Sequence, residues 1–275
     1  MPFSLSGVEA IQHLSLRHLP AHADTLALSV AFFMILHSAV APAVSRALVG
    51  KQKWAALRAR ARNGWCTHIV SFVHALIVVP FAARCLNSPA LDQDRAFGWD
   101  DRVGTVSAIA SGYFIWDALD SLINFEGVGF VVHGACVSRF DRALSQRPFL
   151  GYYGPRFLLW ELSTPFLNIH WFIDKMGRTG SRLQLVNGAV LLATFASVRL
   201  VYGGIMSYRF WRTLYAVKDD IPLFLALGYG VGNIVLQVLN WFWFTKMIAA
   251  LRKRFRGKGT GAKVGGKENG NGKVA

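Results

Sequence analysis

The sequence predicts an all-α polytopic membrane protein with seven transmembrane helices, and its composition and the spacing of its apolar residues both support this. Hydrophobic residues make up 53% of the 275 residues, charged residues only 16%, and the mean hydropathy is +0.34. An average soluble domain has about 25% charged residues. The apolar residues also fall into blocks of about twenty, the length of helix that crosses ~30 Å of hydrocarbon. These features indicate one membrane-embedded domain.

Seven apolar blocks, separated by charged or Gly/Pro-containing breaks, are the predicted spans. In chain order they are 24–44, 65–83, 103–123, 127–138, 155–173, 183–206 and 221–248. The first block is predicted to be a retained span, because it lacks the basic n-region and small-residue cleavage site of a signal peptide. The fourth has only about a dozen uncharged residues, so it must extend into its flanks, tilt, re-enter, or be shielded by neighbouring helices.

The distribution of basic residues predicts the orientation. Of the 30 Lys and Arg residues, 17 lie in the first and fifth connections and the tail, and 10 lie in the second, fourth and sixth connections and the amino terminus. By the positive-inside rule the tail is cytosolic and the amino terminus lumenal, which requires an odd number of spans. This clustering beside apolar blocks explains the net charge of +15 better than a nucleic-acid partner would.

Three regions follow from this topology. Residues 1–64 are predicted to hold the lumenal amino terminus, a peripheral transmembrane helix and a basic cytosolic loop, and residues 65–251 a domain of six transmembrane helices. Residues 252–275 are predicted to form a basic cytosolic tail, which is disordered because it has too few apolar residues to fold. Cys66, Cys85 and Cys136 are odd in number and lack motif spacing, so no disulfide framework is expected.

Polar side chains recur along one face of five of the predicted spans, at the i, i+3, i+4 and i+7 positions of a helix. They are Thr67, Ser71 and His74; Tyr113, Asp117, Asp120, Ser121 and Asn124; Gly129, His133 and Cys136; Glu161, Thr164, Pro165 and Asn168; and Asn233, Gln237 and Asn240. The sixth span is less regular, with Asn187, Thr194 and Arg199. In the first span, Ser29, His37 and Ser38 form no such row. The sequence therefore predicts six helices around a shared polar interior, with the first helix packed outside.

Charged residues within the spans are the strongest candidates for function, because they are rare and costly in hydrocarbon. Arg199 needs a carboxylate or several carbonyls as partners, and we expect Glu161 or Asp117 to be its counter-ion. Pro165 is predicted to kink its helix and to free the carbonyl of Glu161 for a lipid headgroup or simply for packing. The neutral polar residues have a structural alternative, because Ser, Thr, Asn, Gln and His commonly hydrogen-bond neighbouring helices.

Several of these residues also carry a resemblance to a known family. The run from Gly112 to Asp117 (GYFIWD), His133 in the next span, and the segment from Glu161 to Asn168 (ELSTPFLN) followed by Trp171 resemble the TLC-domain family of membrane proteins. Residues 65–75 look like the first core helix of that domain, and 240–243 (NWFW) its last. The resemblance covers about residues 65–251. It implies a six-helix barrel around a lipid cavity, usually in the endoplasmic reticulum, in ceramide synthases or in proteins that regulate lipid composition.

Two functions follow from the residues and the resemblance together. The first is lipid binding and membrane lipid homeostasis in the endoplasmic reticulum, with a sphingolipid-like amphiphile or another membrane lipid as the partner and no cofactor. The predicted lipid-cavity residues are His74, Asp120, Glu161, Thr164, Asn168, Arg199, Asn233 and Gln237. The second is acyl transfer from acyl-CoA to a lipid amine or hydroxyl, with His133 as general base and Asp117 either orienting it or holding the acceptor. The adjacent histidine pair that marks the catalytic branch of the family is replaced here by Val132 and His133.

Other functions are compatible with parts of the sequence. The basic tail could bind a cytosolic coat or anionic lipid, as in a cargo or assembly receptor. The intramembrane Asp, Glu, His and Arg residues could serve ion or proton transport, although no inverted repeat accompanies them. A metal site is not expected, because the histidines nearest the core lack paired spacing.

Overall fold

The structure, a computed structural model, describes residues 19–124 and 149–261, and every regular element in these segments is helical. This confirms the predicted all-α class for that part of the chain. We number the helices α1 to α8 in chain order. α1 comprises Leu19–Ile35, a π-helical segment Leu36–Val40 and Ala41–Val49; α2 is Lys51–Ala56, α3 Ala59–Arg84, α4 Pro89–Gln93 and α5 Asp101–Asn124; α6 comprises Tyr153–Leu158, a 3-10 segment Leu159–Ser163 and Thr164–Lys175; α7 comprises Arg182–Phe195, a π-helical segment Ala196–Tyr202 and Gly203–Ala216; α8 is Leu223–Gly261.

Four of the described helices are long and apolar enough to cross a membrane, which makes the chain a multi-pass membrane protein. They are Ala21–Val49 of α1, Ala59–Arg84, Arg182–Ala216 and Leu223–Arg252 of α8. The helices α5 and α6 stand where the third and fifth spans are predicted, but they are not among these four. The predicted fourth span, 127–138, lies outside the described residues.

The helices extend beyond several predicted boundaries. α3 begins at Ala59 rather than at 65, and α7 continues to Ala216 rather than ending at 206. α8 runs to Gly261, past residue 252, where the basic tail is predicted to begin. The physical reason is local: the residues around Arg252 are mainly Ala, Leu, Arg and Lys, which are strong helix formers and extend a helix that has already begun.

Side-chain and backbone contacts between helix termini define two ends of the bundle. At one end, Leu150 N–H donates to the carbonyl of Ala96 at 2.6 Å and the Tyr153 hydroxyl bonds Thr213 Oγ1 at 2.7 Å. This joins the start of α6 to the connection before α5 and to the end of α7. We call it the aspartate end, because Asp92, Asp94, Asp100 and Asp101 lie there.

At the opposite end the start of α3 meets the end of α5 and the second half of α6. Asn63 Nδ2 donates to Asp120 Oδ2 at 3.1 Å, and the Trp65 and Trp171 rings pack edge to face with centroids 5.0 Å apart. We call it the basic end, because the connections after α1 and α6 bring Lys51, Lys53, Arg58, Arg60, Arg62, Lys175 and Arg178 there. Residues 124 and 149, which flank the undescribed segment, therefore lie at opposite ends of the bundle.

Asp100 fixes the start of α5 at the aspartate end. Its Oδ1 accepts the Arg102 backbone N–H at 2.9 Å, and its carboxylate pairs with the Arg102 guanidinium at 2.7 Å. A carboxylate before the first turn satisfies a helix N–H group and interacts favourably with the helix dipole. The Arg102 side chain lowers the pKa of Asp100 to about 2.

Helix α1 packs closely along α5 rather than standing apart from the bundle. Gly104, Ala108 and Gly112 recur at four-residue spacing on one face of α5. A Cβ atom on Gly104 would overlap the His22 ring, and one on Gly112 would lie 2.8 Å from the backbone nitrogen of Val30. Close to Gly112, Ser29 Oγ donates to the carbonyl of Ile109 at 2.8 Å. Small residues on α5 thus let the two backbones approach each other, as in other membrane helix pairs.

We expect Arg156→Met to lower the free energy of unfolding by about 2 kcal/mol. The buried Arg156 guanidinium donates to the carbonyl of Tyr152 at 2.7 Å and to that of Leu86 at 2.9 Å. Met keeps much of the side-chain volume but leaves both carbonyls without this donor. Thermal unfolding of the purified protein in detergent measures the effect. Arg95→Met is the control, because Arg95 also lies over the Tyr152 ring but is exposed. Equal stabilities of the two variants would contradict the prediction.

Candidate functional site

The charged centre of the bundle is Arg199, which lies in the π-helical segment of α7 and is 6% exposed. Its Nη2 atom is 3.3 Å from Glu161 Oε1 and 3.3 Å from Thr164 Oγ1. Its Nη1 atom is 3.4 Å from Asn240 Oδ1 on α8. Arg199 therefore binds α6 and α8 at once, and the predicted counter-ion Glu161 is confirmed.

The 3-10 segment of α6 supplies the remaining partners of Arg199. Arg199 Nε donates to the carbonyl of Trp160 and to Ser163 Oγ, both at 3.1 Å. Thr164 Oγ1 donates to Glu161 Oε2 at 2.7 Å, which holds the carboxylate in place. We call Arg199, Glu161, Ser163, Thr164 and Asn240 the Arg199 cluster. A buried ion pair with this many hydrogen bonds satisfies most of the donors that a guanidinium offers.

The expected effect of Pro165 on the Glu161 carbonyl is wrong. Pro165 occupies the first turn of the helix Thr164–Lys175, where the missing proline N–H is not needed, and the 3-10 segment precedes it. The carbonyl of Glu161 accepts the Thr164 backbone N–H, so it is not freed. The 3-10 segment shifts hydrogen bonding from i+4 to i+3, and this absorbs the proline without an unpaired carbonyl.

The polar residues of α3 and α5 lie beside the Arg199 cluster. The Tyr113 hydroxyl interacts electrostatically with Asp117, Glu161 and Arg199, which places the α5 residues close to the ion pair. Asn168 donates to Ser71 Oγ at 3.3 Å and bonds His68 Nδ1 at 2.6 Å. The structure therefore brings together Glu161, Thr164, Asn168 and Arg199 of the predicted site residues, and Asp117 lies one turn after Tyr113 on α5.

Of the other predicted site residues, His74 lies against Tyr113 and the remaining described ones lie elsewhere in the bundle. Asn233 and Gln237 both donate to Ser207 Oγ, at 3.1 and 2.7 Å. Asp120 accepts from Asn63 and Asn124 toward the basic end. His74 is fully buried, with its ring stacked on Tyr113 at 3.7 Å, and neither ring nitrogen has a hydrogen-bond partner among the described residues. His133, the proposed general base, lies outside the described residues.

Several residues that form these contacts were not among the predicted site residues. Ser71, Tyr113, Asn124 and Asn240 are on the predicted polar faces but are not predicted site residues. Asn63, His68, Ser163 and Ser207, and His37, which bonds Asn63, are further residues of this kind. The first helix is predicted to pack outside the six-helix polar interior, and two of its polar residues nevertheless form hydrogen bonds with the core helices: Ser29 with α5 and His37 with α3. The His68 ring stacks on Trp171, with centroids 4.0 Å apart, and bonds Asn168. The occurrence of His68 and Trp171 near the same end of two predicted spans is the sequence signal that could have identified this contact.

Two buried donors next to the Arg199 cluster have no acceptor among the residues that the structure describes. They are Asn240 Nδ2 and Trp160 Nε1. Asn240 Oδ1 accepts from Arg199, which leaves its amide hydrogens available, and the carbonyl of Trp160 bonds the same guanidinium. Unsatisfied buried donors are rare in proteins and require an explanation. The arrangement is rich in donors, so it can bind the acceptor oxygens of a ligand. Within the described segments no group of three or more His, Cys, Asp and Glu side chains could hold a metal ion.

Comparison with known proteins identifies the family. The TLC domain model matches residues 64–249. The chain is 38% identical over 245 residues to a TLC domain-containing protein of Schizosaccharomyces pombe, covering 88% of this chain and 83% of the relative. It is 30% identical over 239 residues to Topoisomerase I damage affected protein 4 of Saccharomyces cerevisiae, covering 85% of each chain.

An animal relative is more distant. The chain is 29% identical over 191 residues to TLC domain-containing protein 4 of Homo sapiens, covering 66% of this chain and 72% of the relative. No solved structure matches the chain. The matched range includes every member of the Arg199 cluster and leaves out α1. The family model covers most of the chain and agrees with the resemblance in the sequence, so the chain belongs to the TLC-domain family.

Proposed function

We propose that this protein binds a membrane lipid inside its TLC domain and acts in membrane lipid homeostasis in the endoplasmic reticulum. The observation that carries the proposal is the Arg199 cluster, a buried ion pair with unsatisfied donors beside it. Ionisable residues within membrane spans are retained mainly where they serve function. The location in the endoplasmic reticulum rests on the resemblance to the family alone.

The chemistry of the site favours a ligand that offers acceptor oxygens. Asn240 Nδ2 is a neutral donor beside a guanidinium whose charge is balanced by Glu161. Trp160 Nε1 is a second neutral donor, packed against Gly203 one turn after Arg199 on α7. An ester or amide carbonyl of an amphiphile would satisfy such donors without adding a net charge. A sphingolipid-like or glycerol-based lipid fits this description, with its chains among the apolar side chains of the bundle.

We propose the complete topology as seven spans with a six-helix core, a lumenal amino terminus and a cytosolic carboxyl terminus. Two features support this. The residues on either side of the undescribed segment lie at opposite ends of the bundle, as an odd number of spans requires. The connections after α1 and α6 are basic and lie at one end, whereas four aspartates lie at the other, in agreement with the positive-inside rule.

Asn240→Leu is expected to reduce the lipid that stays bound to the purified protein several-fold, because it removes a donor from the site. The full chain is extracted in mild detergent, and the retained lipid is measured by mass spectrometry against the bulk lipid of the same membrane. Asn187→Leu is the matched control: Asn187 is a buried Asn whose amide is already bound to the carbonyl of Phe166 at 2.8 Å. Native protein with no lipid enriched over the bulk would refute lipid binding. Equal retention of lipid by the two variants would show that the ligand does not bind Asn240.

Acyl transfer from acyl-CoA is the alternative prediction from the sequence, and it depends on His133. Asp117 lies on α5, one turn after Tyr113. Because His133 lies outside the described residues, its relation to Asp117 stays a prediction.

A further inference from the structure

A second, half-buried polar group joins α1 to α3 and α5 near the basic end, away from the Arg199 cluster. His37 Nε2 is 2.9 Å from Asn63 Oδ1 and 3.7 Å from Asp120 Oδ1. Asn63 Nδ2 donates to Asp120 Oδ2 at 3.1 Å, and Asn124 Nδ2 donates to Asp120 Oδ1 at 2.9 Å. We call these four residues the His37 cluster. His37 itself belongs to α1, outside the residues that the TLC model matches.

The hydrogen bonds fix which nitrogen of His37 carries the proton. A carboxylate only accepts hydrogen bonds, so the amide nitrogen of Asn63 must face Asp120. The amide oxygen of Asn63 then faces His37, and this oxygen also only accepts. His37 Nε2 is therefore the donor, and in the neutral ring Nδ1 carries the lone pair. The cluster therefore presents an acceptor, His37 Nδ1, on the side of the ring that faces away from Asn63.

This acceptor is not satisfied by the residues that the structure describes. No hydrogen bond to His37 Nδ1 is formed by any of them, and the side chain of His37 is 24% exposed. Among the described residues, the ring of His37 contacts that of Trp116, with centroids 5.3 Å apart and the planes tilted by 51°. A histidine that only fastened α1 to the core would need its Nε2 contact alone. The outward lone pair is the feature that remains to be explained.

The depth of the cluster indicates what can reach it. Asn63 lies about one turn, ~6 Å, from the start of α3, and Asp120 lies about one turn from the end of α5. The cluster is therefore level with the basic end of the bundle, where Arg60 and Arg62 immediately precede Asn63 in the chain. Basic side chains next to a span mark the boundary between hydrocarbon and lipid headgroups.

We propose that the His37 cluster is a lipid headgroup site, in which Nδ1 accepts a hydrogen bond from the hydroxyl or ammonium group of a membrane lipid. The Asp120 carboxylate, 3.7 Å from Nε2, polarises the ring and strengthens Nδ1 as an acceptor. The two polar sites of the protein are then complementary: the Arg199 cluster offers donors, whereas the His37 cluster offers an acceptor and a negative charge. The proposal stands without the proposed function, because it uses different helices and the opposite hydrogen-bonding chemistry.

The test measures how fast His37 is modified by diethyl pyrocarbonate in the full chain, reconstituted in nanodiscs and followed by peptide mass spectrometry. Phosphatidylcholine alone offers no headgroup hydrogen-bond donor, phosphatidylethanolamine adds an ammonium group, and diacylglycerol adds a hydroxyl. We expect modification to be about tenfold slower with one or both donor lipids, as a charge-assisted or neutral hydrogen bond covers Nδ1. Because diethyl pyrocarbonate also reacts with the amine of phosphatidylethanolamine, the rate at His37 is taken relative to the other histidines of the same sample, and protection by only one lipid on this scale identifies the headgroup. Equal rates in all three membranes would overturn the proposal, and this comparison needs no variant.

Two variants separate headgroup binding from simple attachment of α1. Asp120→Asn keeps the size of the side chain but removes the charge behind the ring, so the protection by the donor lipid should fall several-fold. Ser29→Ala removes the α1–α5 hydrogen bond to the carbonyl of Ile109 and should leave the protection unchanged. Full protection in a folded Asp120→Asn protein would overturn the role of the carboxylate. Loss of protection in Ser29→Ala would show that His37 responds only to the attachment of α1.

Discussion

Arg199→Met is expected to lower the free energy of unfolding by about 3 kcal/mol, the cost of leaving a buried charge without its partner. The side chains of Arg199 and Glu161 are 8% and 12% exposed, so water does little to stabilise the carboxylate once the guanidinium is gone. Arg199 also bonds Ser163 and Asn240, so the substitution separates α7 from both α6 and α8. Unfolding of the purified protein in detergent, followed by circular dichroism, gives the measurement.

The design of this experiment has to distinguish the ion pair from a general effect of removing a basic residue. Arg209→Met is the matched control, because Arg209 is an exposed arginine on the same helix and its loss should change stability by about 0.5 kcal/mol or less. The double variant Arg199→Met with Glu161→Leu should recover part of the loss, because no unpaired charge remains. If Arg199→Met were as stable as Arg209→Met, the ion pair would not hold the bundle together.

The ion pair could be predicted from the sequence because hydrocarbon leaves a buried arginine few partners. The span of Arg199 has no carboxylate of its own, so the candidates were the acidic residues of neighbouring polar faces, Asp117 and Glu161. What the sequence could not decide was the choice between these two. That choice depends on the 3-10 segment of α6, which brings Glu161, Ser163 and Thr164 around the same guanidinium.

The π-helical segments explain why the first and sixth predicted spans show no regular row of polar residues. A π-helical segment adds a residue to the helix, so side chains on its two sides no longer follow one 3.6-residue period. Arg199 lies inside such a segment, which is why Asn187, Thr194 and Arg199 form no regular row. His37 lies inside the other, which separates it from Ser29 in the pattern although both contact the core. Nothing in a helical periodicity reveals where an extra residue is inserted.

Asn63 shows a different limit. The sequence assigned it to the basic connection, because arginines at 58, 60 and 62 precede it and the apolar block starts at 65. α3 nevertheless begins at Ala59, since Ala and Arg are strong helix formers and extend the helix past the apolar residues. The added turn is what carries Asn63 to Asp120. Boundaries set by hydropathy alone miss polar residues of this kind.

Gly112→Leu is expected to lower the free energy of unfolding by about 3 kcal/mol, because α1 and α5 are too close there to admit a side chain. A Cβ atom on residue 112 would lie 2.8 Å from the backbone nitrogen of Val30 and would overlap Ser29. Backbone atoms cannot move aside as a flexible side chain can. The Ser29 hydrogen bond to Ile109 would be lost as α1 is displaced.

The control for this prediction is Gly204→Leu, a glycine in α7 with no atom within 4 Å of the position that a Cβ would occupy. Its free energy of unfolding should equal that of the native protein or exceed it by up to about 1 kcal/mol, because leucine favours the helix more than glycine does. Equal losses in the two variants would contradict the close approach of α1.

The substitution at Gly112 also bears on whether α1 belongs to the functional unit. Because Ser29 and His37 lie on the same helix, displacing α1 should expose His37 Nε2 and speed its modification in phosphatidylcholine alone. A stable Gly112→Leu protein with an unchanged His37 would instead mean that α1 is anchored through the His37 cluster and not through its glycine contact.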